Sequence, residues 1–221
     1  MRCSAAATPR TSGSPTESSR LRTGCAPRGR AWCSRALVTE GIERDVGNYL
    51  FALVHRRVDL PRQGSTAERL FAIALEERVE QSLNRVFRRL GLIYPPANIA
   101  AAYEGVTSSN TRLKGNAVEY LENALAPEHR GLVLPLVDER GEGERMRLAQ
   151  QRSAIRPAGY EQTLEAVLQS DDAWLRACAL FVAGSRRERS LLPLVESNLS
   201  TLNVLVRETA SWARLAIAAG G

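Results

Sequence analysis

The sequence predicts an all-α protein: a short α-solenoid of helix pairs, preceded by N-terminal helices and an irregular tail. Apolar residues recur at three- and four-residue spacing from Thr39 onward, and no alternating run is long enough to read as a strand. One stretch, residues 65–91, carries a full set of helix start and stop signals. A short motif also returns at multiples of 31 residues, within the range of periods that build stacked helical repeats.

Residues 1–35 stand apart. They are rich in Ser, Thr, Arg, Gly and Pro, show no hydrophobic period, and cannot bury enough apolar surface to offset the entropy of ordering. The expectation is a disordered basic tail. It holds seven arginines and one acid, Glu17. Removing these from the 30 basic and 24 acidic residues leaves 23 of each, so the net charge of +6 belongs to the tail. A neutral body has no overall pull on phosphate, which argues against nucleic-acid binding. No apolar stretch follows Arg2 as a secretory signal requires, although a transit peptide would share the composition. Only Lys114 is lysine, against 29 arginines, which reads as compositional preference.

Residues 36–94 form the predicted N-terminal helical segment. Ile42, Val46, Leu50, Leu53 and Val54 share a helical face that Pro61 closes. Ser65 and Glu68 then make a capping box. Phe71, Leu75, Val79, Leu83, Val86 and Leu90 form one stripe, thickened by Ile73 and Phe87. Arg88 and Arg89 are expected at the negative helix end, with Gly91 left-handed beyond it and Pro95-Pro96 blocking continuation.

Residues 95–221 carry the repeats. Asn110–Ala117, Asp172–Ala179 and Asn203–Ala210 all fit [ND]-x-x-[LV]-[KR]-x-x-A, with the basic residue at Lys114, Arg176 and Arg207. A degenerate copy, with Met146-Arg147, falls between the first two. Leu134–Val137 and Leu192–Val195 are the same tetrapeptide, 58 residues apart. The Asn or Asp is expected to cap its helix, contributing about 1 kcal/mol. The Leu or Val and the Ala share a face that lets a neighbour approach. A charge beside that face needs a partner, and for Arg176 the first candidate is Asp172, four residues earlier on the same helix face.

These features resemble HEAT repeats. The resemblance implies paired helices stacked into a superhelix, a proline in the first helix, and an Asp–Arg ladder through the turns. Asn110, Lys114, Asp172, Arg176, Asn203 and Arg207 would be its structural ladder, weakened where Asn and Lys stand in for the acid and the arginine. The segment order resembles the cytoplasmic repeat region of bacterial fusion proteins similar to nucleotide (ATP/ADP) translocases, without the membrane part. That likeness implies a detached scaffolding or regulatory domain, with a transporter-like protein among its candidate partners.

The chemistry-bearing residues are sparse. Cys3, Cys25, Cys33 and Cys178 include no C-x-x-C, and His55 and His129 are 74 residues apart. The reading predicts no catalytic, cofactor-binding or metal-binding residue, a cytoplasmic location and no membrane insertion. Cys178 reads as a small core hydrophobe, and Trp174 and Trp212 as core or edge packing. Arg186, Arg187 and Arg189 read as a solvated turn, and residues 140–145 as a mobile loop. The expected function is a non-catalytic protein-interaction scaffold. HEAT-like nucleic-acid binding, including a DNA glycosylase-like enzyme, and a small-molecule lyase are the alternatives.

Overall fold

The computed structural model describes residues 34–56, 64–137, 142–153 and 159–219, and these are all helix and connections, with no strand among them. The predicted tail lies outside the described residues except at its end, where Ser34 caps the first helix; Pro61 also lies outside them. The helices are α1 (Arg35–His55), α2 (Thr66–Ile93), α3 (Pro96–Thr107), α4 (Thr111–Ala124), α5 (Pro127–Val137), α6 (Glu142–Ser153), α7 (Tyr160–Leu168), α8 (Ala173–Arg186), α9 (Leu192–Ser197) and α10 (Val204–Ala218). Residues 142–145, expected in a loop, are the first turn of α6.

Helix α2 organises the body. At 28 residues it is about 42 Å long, and it serves two cores. Its N-terminal half gives Phe71, Ala74 and Leu75 to a cluster with α7, α8, α9 and α10. Its C-terminal half gives Val86, Phe87 and Leu90 to a cluster with α1, α3, α4, α5 and α6. The capping box forms as expected: Glu68 N–H donates to Ser65 Oγ, and Ser65 N–H donates to Glu68 Oε2 at 2.6 Å. The stripe is buried except for half-buried Leu83 and for Ile73, which is 56% exposed and belongs to the opposite face.

The end of α2 departs from the expectation. The helix runs through Gly91 to Ile93 and stops in extended backbone at Tyr94. Pro95 and Pro96 set the real boundary, because the residue before a proline is pushed out of helical conformation. Arg89 does not sit at the helix end. It reaches across to α1, where buried Asp45 accepts from Arg89 Nε at 2.6 Å and from Arg85 Nε at 3.0 Å. One carboxylate thus clamps the α1–α2 pair.

Two buried histidines tie helix ends together. Ala126 N–H donates to the Tyr94 hydroxyl at 3.0 Å, which leaves that hydroxyl to donate to His129 Nδ1 at 2.7 Å. His129 Nε2–H then faces Thr39 Oγ1 at 2.9 Å, and Thr39 donates on to the Arg35 carbonyl. The chain of donors is complete with a neutral ring. Burial pushes the His129 pKa below its ordinary value; Glu128 pulls it part of the way back, and Arg35 adds a smaller push downward. His55 at the end of α1 meets the buried Thr163 hydroxyl of α7 at 3.1 Å, and burial lowers its pKa to about 4.

Candidate protein-interaction surface

The three motif caps form where the spacing places them. Asn110 accepts from the N–H groups of Arg112 and Leu113, Asp172 from those of Trp174 and Leu175, and Asn203 from that of Val206. The motif alanines Ala117, Ala179 and Ala210 are all buried. Close helix approach accompanies them: a methyl on Gly105 of α3 would lie 2.6 Å from the Ala117 side chain, and one on Gly184 of α8 would lie 2.9 Å from the Ala213 backbone. Each would collide.

The basic residues find partners other than the one expected. Asp172 is taken by Arg78 of α2, at 2.6 Å from Nε and 2.9 Å from Nη2, so it clamps α8 to α2. Arg176 instead donates to the Thr201 hydroxyl at 3.3 Å, in the turn before α10. Arg207 donates to the Thr201 carbonyl, also at 3.3 Å. The arginines of the last two motif copies therefore converge on one turn residue. The Lys114 side chain makes no hydrogen bond or ion pair among the described residues, while its backbone N–H donates to the Asn110 carbonyl at 3.0 Å.

Arg186 is not solvated as its cluster suggested. Its guanidinium donates to Glu68 at 2.6 Å and lies over the Tyr160 ring, 4.8 Å from the centroid. Burial alone would raise the Glu68 carboxyl, but the hydrogen bonds from Arg186 and Ser65 outweigh it and hold its pKa below the usual value. Burial, reinforced by the Glu68 charge, pushes Tyr160 up to about 12. Arg187 beyond it caps α8 in left-handed backbone at φ 55°. Cys178 is a buried core residue as expected, its thiol raised to about 12 by burial and then by Asp172. Trp212 packs at an edge on Phe181, with ring centroids 5.2 Å apart.

Two open cavities flank α3. Between α3 and α4 lies a cavity of about 530 Å³, floored by Ala101, Ala102, Gly105 and Ala117 and walled by Leu113 and Tyr120. On the other side of α3, against the end of α2, a second cavity of about 480 Å³ is lined by Phe87, Ile99 and Tyr103. Asn98, Ser108 and Asn116 rim the first, Arg88 rims the second, and Glu104 is shared. Small residues make these grooves, because Ala and Gly leave the helix surface low where larger side chains would fill it. The motif leucine separates the copies: Leu175 and Val206 are fully buried at this position, whereas Leu113 is 51% exposed over the groove.

No protein-family model, curated protein or solved structure matches the chain. The functional reading therefore rests on the chain's own geometry. Among the described residues, no group of three or more His, Cys, Asp or Glu is placed to hold a metal ion. None of the described helices is long and apolar enough to cross a membrane.

Proposed function

We propose that the chain is a non-catalytic interaction scaffold, a short helical-repeat body of the HEAT kind, that binds another protein along the grooves flanking α3. The observation that carries this reading is Leu113. It occupies a motif position that neighbouring helices bury in the other two copies, yet here it stands over an apolar groove with a polar rim. An apolar floor with a few orienting polar groups is the pattern of a peptide-binding groove. The convergence of Arg176 and Arg207 on Thr201 supports the repeat reading, since it links one unit's basic residue to the next unit's turn.

The test is selection of a displayed random-peptide library on the full chain. The best peptide is then measured by fluorescence anisotropy on wild type, Ala101→Arg and Leu113→Asp. Both positions are exposed, so folding and melting temperature should hold while affinity falls at least about tenfold. A library that yields no binder, or a binder indifferent to both substitutions, removes the reading.

A further inference from the structure

The 31-residue relation between α8 and α10 extends past the ladder residues to the faces of the two helices. Arg176 corresponds to Arg207, Ala177 to Glu208, and Gly184 to Leu215. On α8 the first and last of these positions face α10: Arg176 grips Thr201, and Gly184 lies against Trp212 and Ala213, while Ala177 between them is buried. The corresponding face of α10 is open. Val204 is 54% exposed and Leu215 64%, and Leu202 in the preceding turn is 96% exposed. The side of α10 that faces solvent is thus the counterpart of a face that already accepts a helix.

We infer that the outer face of α10 docks one amphipathic helix of a partner protein, lying parallel to α10 as α10 lies on α8. Three features set the partner's chemistry. Arg207 stands where Arg176 takes a hydroxyl, so the partner's N-terminal turn carries a hydroxyl or carboxylate there. Glu208 is an exposed acid on the same face as Val204 and Leu215, with no ion pair among the described residues, so it calls for a cation opposite. Leu215 projects where α8 has glycine, so the partner must present alanine or glycine to it.

A second copy of α10 fits poorly. In an antiparallel two-fold pairing, Arg207 and Arg214, seven residues apart on one flank, would face the same two arginines of the other copy. In a parallel two-fold pairing that flank would meet Leu205 and Trp212, where no acid is present.

The inference rests on the scaffold reading only in requiring that a partner exists. A synthetic peptide of residues 199–219 serves as the probe, since this segment is the occupant of the α8 face. Trp212→Ala in the peptide clears space for Leu215. Val206→Lys supplies the cation, because Val206 lies seven residues before Ala213, as Ala177 lies seven before Gly184. The fluorescent peptide should bind the full chain, and Leu215→Glu or Glu208→Lys in the chain should weaken it at least about tenfold. Ala101→Arg in the α3 groove should leave that affinity unchanged, which separates this face from the groove. No binding, or binding that survives both α10 substitutions, overturns the inference. Self-association of the chain in sedimentation that Leu215→Glu abolishes also overturns it, because the face would then belong to a second copy.

Discussion

Replacing His55 with Asn should flatten the acid sensitivity of the fold. Asn can keep a nitrogen near the position of Nδ1, opposite Thr163, while removing the titrating ring. In the unfolded chain the imidazole takes its proton near 6.5; in the fold, burial delays that to about 4. Between those values the unfolded state binds one more proton, so this contribution is fully present above 6.5 and is lost as pH falls toward 4. A shift of about 2.5 units at 1.36 kcal/mol each gives a loss of about 3 kcal/mol by pH 4. The ring is only 3% exposed, so solvent screening takes little from that figure. Urea unfolding at pH 7, 5.5 and 4 measures it. His55→Asn starts less stable at pH 7, because the ring also packs on Phe51 at a centroid distance of 4.4 Å. The gap to wild type should then close or reverse by about 3 kcal/mol at pH 4. His129 and Glu68 leave both proteins some acid sensitivity, since their folded values are also lowered. Parallel stability curves for the two proteins would refute the argument.

Asp45→Ala should be among the most damaging single changes. It leaves Arg85 and Arg89 without their buried acceptor, and because both guanidinium groups can reach water the cost is about 2–3 kcal/mol. In a body of this size that is a drop of roughly 5–10 °C in melting temperature. Arg187→Gly should do the opposite: a left-handed residue without a Cβ relieves strain, adding about 0.5–1 kcal/mol, measurable as a higher urea midpoint.

What could be read from the sequence was what neighbouring residues decide. Ser65, Asn110, Asp172 and Asn203 are caps in the structure because a cap needs only its own first turn. Partner choice was not legible, since it depends on which helix lies alongside. Asp172 could have served Arg176 on its own helix, but α2 brings Arg78 from 94 residues away. Asp45 was missed although it carries a signal: it falls on the face of α1 that holds Ile42, Val46 and Tyr49, where an acid needs a buried cation. Gly91 misled for the reverse reason. Its local context fits a helix end, but nothing there requires left-handed backbone, and Pro95 and Pro96 act a few residues later. The α3 grooves were invisible because Leu113 and Leu175 are the same residue at the same motif position. Only the presence or absence of a covering helix distinguishes them.

The repeat reading meets its most direct test in a double-mutant cycle between Arg176 and Thr201. Arg176→Ala should cost about 1 kcal/mol, as expected for one bond to a neutral acceptor. Thr201→Val removes the hydroxyl and keeps the shape. If the arginine of one unit holds the turn of the next, the double variant should lose less than the sum of the two, with a coupling of at least about 0.5 kcal/mol. Arg207→Ala, whose donor reaches only a carbonyl from an exposed position, should cost less than Arg176→Ala. Strict additivity in the cycle, with Arg207 the costlier arginine to lose, would contradict the ladder.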